Sequence, residues 1–224
     1  MCCISGSFDK STLVELIKLG YDRAGHSYSI TTIDDGIITS VKRALVQNSS
    51  SEILVDLEQT KELSGRYYLV HQQAPTTSAR SLDSVHPSYQ KKCHYDTYLW
   101  HNGIIKDDSI EYLREVYEMD GVNWDTALLH GAIQDMVYGD SQVLDTIKGG
   151  FACVYSNGQD KGLYLLRNSV CPLFVTDNLN ISSIKLDESY MMLTADKVFY
   201  APLSRHVLRK VNKFDSAEQP YFFL

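Results

Sequence analysis

Met1-Cys2-Cys3-Ile4-Ser5-Gly6 opens the chain, and its second residue decides how the rest is read. Removal of an initiator methionine is favoured when the next residue is small, as cysteine is. Cys2 would then carry a free α-amino group on the same residue as its thiol. That places a nucleophile and a base in one residue, the pairing that activates N-terminal nucleophiles. A thiol is the strongest nucleophile among ordinary side chains, and an α-amine with a pKa of about 8 can take its proton near neutrality. The same six residues also read as a buried first strand whose second position happens to be Cys. The residues downstream decide between the two.

The chain has 224 residues, 44% hydrophobic and 22% charged, the composition of an ordinary globular protein with one full core. Its formal net charge of −7 argues against nucleic-acid binding, which calls for a basic face. No apolar run approaches the ~18 residues of a membrane span. No basic segment leads into an apolar one at the N-terminus, so no secretory signal is read there. Five cysteines, an odd number with no CxxC pair, favour free thiols and a reducing compartment, and a cytoplasmic location is expected. Cys93-His94 with His101 fits no metal-ligand spacing, and neither nucleotide-binding glycine motif occurs. No metal or cofactor is expected.

Ile4 to Ser7 reads as a short strand. Leu13, Leu16 and Ile17 then mark one helix face over Phe8 to Leu19, with Asp9 or Ser11 as cap and Gly20 as stop. Tyr28, Ile30 and Ile33 read as a half-buried strand, and Asp34-Asp35-Gly36 as the turn of a hairpin into Ile37 to Val41. Tyr67 to Gln72 is a strand, Ala74 to Tyr89 a loop, and Tyr98 to Ile105 a strand broken at Asn102-Gly103. Asp108 to Tyr117 and Thr126 to Val137 read as helices. Gly150 to Tyr155 and Leu163 to Arg167 read as paired strands, and Tyr190 to Thr194 with Lys197 to Ala201 as another pair. Strands, then helices, then strands point to a layered α+β fold.

Four separated segments resemble class II glutamine amidotransferase domains. Leu99-Trp100-His101-Asn102-Gly103-Ile104-Ile105 is similar to the family's His-Asn-Gly segment, where an Asn amide and a Gly N–H can point two donors at a developing oxyanion. Leu69-Val70-His71-Gln72-Gln73-Ala74-Pro75-Thr76 is similar to a stretch ending His-Thr-Arg-Ala-Pro-Thr. The family's carboxylate-holding Arg is Gln73 here, and a neutral amide cannot form a charged bidentate clamp. Arg80 is the nearest other cation in that part of the sequence. Trp124-Asp125-Thr126-Ala127 is similar to the family's Asp-Thr-Glu helix start, whose Asp binds the substrate ammonium; Asp125 also reads as a helix cap. Gly149-Gly150-Phe151-Ala152 and Arg167-Asn168-Ser169-Val170-Cys171-Pro172-Leu173 match scaffold strands. Arg23-Ala24-Gly25-His26-Ser27 matches more loosely, with Arg23 expected to support the site.

The resemblance implies the N-terminal nucleophile hydrolase fold, a four-layer αββα sandwich of two antiparallel sheets, over residues 2–210, with 211–224 as a C-terminal tail. It implies that the Cys2 thiolate attacks the glutamine side-chain amide, that Asn102 and Gly103 stabilise the oxyanion, and that Gln73, Thr76 and Asp125 hold the amino-acid end. Ammonia leaves, and water resolves the thioester. The chain ends soon after the matched segments, so the ammonia-accepting synthase is expected to be a separate polypeptide. Two other readings stay open. One is an amidohydrolase acting on a γ-glutamyl conjugate or another amide, because of Gln73. The other is an inactive binding or regulatory subunit, because of the departures from the family pattern at Ala24 and Gln73.

Overall fold

In the computed structural model, residues 2–74, 81–92 and 94–217 are described. In chain order the elements are β1 (Cys3–Ser7), α1 (Lys10–Gly20), β2 (Ser27–Asp34), β3 (Ile37–Leu45), α2 (Glu52–Gln59), β4 (Tyr67–Gln73), β5 (Ser88–Lys91), β6 (Asp96–Ile105), α3 (Asp107–Val116), α4 (Asp125–Val137), β7 (Gly149–Asn157), β8 (Gly162–Arg167), β9 (Phe174–Val175), β10 (Ile181–Ser182), β11 (Met191–Met192), β12 (Lys197–Pro202) and β13 (Arg209–Lys213). One sheet has the order β11-β9-β10-β1-β4-β2-β3 and the other β13-β12-β8-β7-β6-β5. All of the strand pairs are antiparallel.

Three apolar clusters stack these sheets into four layers. Ile4, Leu69, Trp100 and Val154 fill the space between the sheets. Leu13, Ile17, Ile53 and Leu57 seat α1 and α2 on the outer face of the first sheet, against Tyr28 and Ile30. Leu113, Leu129 and Ile133 seat α3 and α4 on the outer face of the second, against Phe151 and Tyr155. Each fully buried aliphatic side chain contributes about 1.5–3 kcal/mol. The αββα sandwich expected from the resemblance is the architecture observed.

The local signals act as their chemistry requires. The Asp9 carboxylate accepts the Ser11 and Thr12 N–H groups at 3.2 and 2.9 Å, capping α1. Asp35 and Gly36, at φ 50° and 76°, turn the β2–β3 hairpin. Asn168 stitches the scaffold strands, accepting the Phe151 N–H and donating to the Gly149 carbonyl.

Several expectations need correction. β2 is buried along nearly all of its length rather than on one face, because helices cover its outer side. β6 is unbroken: Asn102 pairs with Ala152 and Gly103 with Phe151. The Tyr190 to Thr194 and Lys197 to Ala201 segments do not pair with each other. β11 joins the first sheet and β12 the second, between β8 and β13, with Asp196 at φ 58° between them. The expected division between 210 and 211 falls inside β13, and Phe214 beyond it is buried in the core with Phe151. Helix α2 and strands β9, β10 and β13 carried no recognised sequence signal.

Candidate active site

The site forms where β1, the end of β4, the middle of β6 and the start of α4 converge. Ile4 lies opposite His71, and Ile4 belongs to the cluster between the sheets. By two-residue alternation Cys2 therefore faces that interior, as do His71 and Gln73 on β4. Trp100 belongs to the same cluster, so Asn102, two residues along β6, points into it from the opposite sheet. Strand β1 packs across the gap against β6.

Cys2 is 7% exposed, and its Sγ lies 3.8 Å from the Ala74 carbonyl. Burial pushes its thiol up to about 12, the Ala74 contact opposes this, and the Asp125 carboxylate adds to it. The charge of Asp125 thus reaches Cys2. The Asn102 side chain is 0% exposed, and neither its Oδ1 nor its Nδ2 has a hydrogen-bond partner among the described residues. Next to it, Gly103 sits at φ 153°, where an added Cβ would lie 1.9 Å from the Gly150 carbonyl oxygen and 2.8 Å from His101 Nε2. Only glycine fits there.

Asp125 is the first helical residue of α4, after Trp124 at the cap position. Its Oδ1 accepts the Thr126 N–H at 2.7 Å, its Oδ2 accepts the Ile105 N–H at 3.4 Å, and His101 Nδ1 is 3.9 Å from Oδ2. The carboxylate is therefore held against β6 at a helix N-terminus, where negative charge is favoured.

A chain of buried histidines backs these groups. Burial depresses His71 to about 3, and depresses His86 and His101 too, so each ring carries one N–H. His71 Nε2–H donates to the His101 carbonyl at 3.0 Å, fixing the peptide that leads into Asn102. His86 stacks on His71 with ring centroids 3.8 Å apart. Its Nδ1–H donates to Gln73 Oε1 at 3.2 Å, so its bare Nε2 accepts the Thr126 hydroxyl at 2.9 Å. That hydroxyl also lies 3.2 Å from His101 Nδ1, while His101 Nε2 lies 3.4 Å from the Gly150 carbonyl. Sequence reasoning placed His86 in a loop and gave Thr126 no role. Both matter only because α4 docks on β6 beside the end of β4.

The predicted residues separate as follows. Cys2, Asn102, Gly103 and Asp125 come together. Gln73 lies at the same end of the sandwich, but its amide is committed inward: Nε2 donates to the Ser84 carbonyl at 2.9 Å, and Oε1 accepts from His86 and from Ser27 Oγ. The charge of Arg23 acts on the Cys3 and Cys171 thiols. Thr76 and Arg80 lie outside the described residues. The four described cysteines are free, and among the described residues no group of three or more His, Cys, Asp or Glu is placed to hold a metal ion. Among them, too, no helix is long and apolar enough to cross a membrane.

No family model matches the chain, and neither does any curated protein sequence. Solved structures do. One described as the allosteric regulatory enzyme of purine biosynthesis superposes with a TM-score of 0.66 at 12% identity, over 95% of this chain and 49% of that one. The glutamine phosphoribosylpyrophosphate amidotransferase of B. subtilis, complexed with ADP and GMP, gives 0.66 at 10% identity over the same shares. The chain has the fold of these amidotransferases. It spans about half the length of each. A predicted glutamine amidotransferase from Pseudomonas aeruginosa PA01 superposes more loosely, with a TM-score of 0.37 at 13% identity over 88% of this chain and 92% of that one.

Proposed function

We propose that the chain is an N-terminal-nucleophile amidohydrolase that releases ammonia from the side-chain amide of glutamine. The observation that carries this reading is the Asn102 carboxamide. It is fully buried, without a hydrogen-bond partner among the described residues, and turned into the same inter-sheet space as Cys2. A buried donor kept unpaired is costly unless something arrives to use it. A tetrahedral oxyanion formed at Cys2 would use it, together with the Gly103 N–H.

With Met1 attached, Cys2 has no α-amine, and its buried thiol stays protonated at neutral pH. Release of Met1 supplies the base. The α-amine takes the thiol proton, Sγ attacks the amide carbon, and the proton passes to the leaving ammonia. The γ-glutamyl thioester that remains is cleaved by water. Asp125, an acceptor at the helix N-terminus, receives the substrate ammonium. Thr76 is assigned to the substrate carboxylate by the resemblance. The ammonia passes to an acceptor-activating enzyme.

One observation favours a second substrate. One N–H of the Gln73 amide and its Oε1 are engaged within the protein, and a neutral amide offers a free α-carboxylate no charge. A γ-glutamyl conjugate whose carboxylate is masked needs no cation at that place.

The test is intact mass before and after incubation with 6-diazo-5-oxo-norleucine, a reactive glutamine analogue. Loss of one methionine and one adduct, both adduct and glutamate release abolished by Cys2→Ala, is the expected result. Retained Met1 would overturn the mechanism and leave a binding subunit. Loss of methionine without an adduct would point to the conjugate.

A further inference from the structure

Among the described residues, Asn102 is one of five buried side chains between the sheets that carry polar atoms with no hydrogen-bond partner. The others are Ser29 (Oγ), Thr31 (Oγ1), His71 (Nδ1) and Trp100 (Nε1), and each residue is 0% exposed. They are not scattered. His71 lies opposite Ser29 on β2, and Ser29 lies opposite Arg43 on β3. Thr31, two residues along, lies opposite Val41. His71 faces the second sheet, since its ring reaches the His101 carbonyl, so the aligned Ser29, Thr31, Arg43 and Val41 face it too. On the facing strand Tyr98, Trp100 and Asn102 alternate onto one face.

Both rows end at the same place. Arg43, Val41 and Tyr98 line an open groove of about 430 Å³ at the edge of the sandwich, between β3 and the β5–β6 hairpin. One polar row therefore runs from the groove through Thr31 and Ser29 to His71. The other runs from the groove past Trp100 to Asn102.

We infer that a file of water molecules occupies this seam between the sheets and joins the Asn102 site to the edge groove. The unpaired groups are hydroxyls, a bare imidazole nitrogen, an indole N–H and a carboxamide, a mixture of donors and acceptors without charge. They suit a small neutral molecule that both donates and accepts. An ion would lack a counter-charge among them, and an apolar molecule would leave all of them unsatisfied. Five such groups left dry would forfeit stability comparable with that of a whole domain. Buried water usually answers two to four polar partners at once, which paired rows of this kind provide.

The role of that water rests on the amidohydrolase reading. Once ammonia has left, a water arriving along the seam attacks the thioester carbonyl. Its oxygen bonds to the carbon, the C–S bond breaks, one proton goes to the α-amine and then to the departing thiolate, and the acid is released.

Thr31→Val keeps the shape and removes the hydroxyl; Ser29→Ala is its companion. Neither residue touches the reacting atoms. Both variants are expected to lose about 2–4 °C in Tm, and a high-resolution crystal structure of the wild type to show water bound at Ser29 Oγ and Thr31 Oγ1. In turnover, Thr31→Val is expected to lower kcat about 3–10-fold while kcat/KM and the rate of analogue labelling hold, with acyl-enzyme accumulating in the intact mass. Variants that gain stability, with no water at either hydroxyl, would overturn the file itself. Bound water with unchanged kcat would overturn its role in delivery. If the wild type turns over no amide, the amidohydrolase reading fails, while lost stability and bound water still support the file.

Discussion

Acid should unfold this protein earlier than its carboxylates require, and the buried histidines set the size of the effect. Burial holds His71 and His130 at about 3, whereas an unfolded histidine titrates near pH 6.5. Between those values the unfolded chain takes up protons that the folded chain refuses. Their contribution is therefore fully present above about pH 6.5 and is lost as the pH falls. From pH 7 to pH 5 each of the two forfeits about 2 kcal/mol, about 4 kcal/mol together. Burial depresses His86 and His101 as well, which adds in the same direction. Against a domain stability of about 5–15 kcal/mol the loss is large. Carboxylates act lower: hydrogen bonds from Ser11 and Thr12 hold Asp9 at about 2, so its contribution falls away only below about pH 4. The assay is urea unfolding at pH 7, 6 and 5, for the wild type and for His130→Asn. His130 Nδ1 meets Ser88 Oγ at 2.9 Å, and an Asn amide reaches the same place without titrating. The variant should lose about 2 kcal/mol of the pH dependence, whatever its stability at pH 7. Equal stability at pH 7 and 5 in the wild type, or an unchanged dependence in His130→Asn, would refute the reasoning.

Three further outcomes follow from the site. Asn102→Ala should change stability by less than about 1 kcal/mol, since no hydrogen bond to a described residue is lost, yet reduce glutamine turnover about 100- to 1,000-fold; denaturation and a glutamate-release assay read the two separately. Gly103→Ala should destabilise by about 2–4 kcal/mol, because its Cβ would meet the Gly150 oxygen at 1.9 Å, visible as a lowered urea midpoint. Gln73→Arg should not improve glutamine binding: it places a charge inside the Ser27–Ser84–His86 network and should cost about 3 kcal/mol or more. A lower KM for glutamine with unchanged stability would show that the side chain can turn outward.

Much was legible in one dimension because it is local chemistry. The Asp9 cap, the Asp35-Gly36 turn and the apolar stripe of α1 depend on residues within a few positions of each other, and each appears where it was expected. The ordered segments around Cys2, Asn102 and Asp125 carried the sandwich fold in the same way, through motifs longer than any single turn. The break expected at Asn102-Gly103 failed because Asn-Gly is also a turn signal. Nothing local shows that Gly149 and Gly150 lie across the sheet and leave room for an extended strand.

By itself, the sequence determined which residues can do chemistry: a cysteine at position 2, an Asn-Gly pair within an apolar strand, an aspartate at a helix start and a neutral residue at 73. Only the tertiary structure decided what those groups face. Whether Gln73 points to a ligand or into the protein depends on Ser84 and His86, residues 11 and 13 positions away. Whether Asn102 is satisfied depends on what packs across the gap from the other sheet. Hydrogen bonding and burial are properties of neighbours in space. In a two-sheet sandwich those neighbours come from strands far apart in the chain, set by register and layer packing rather than by adjacency.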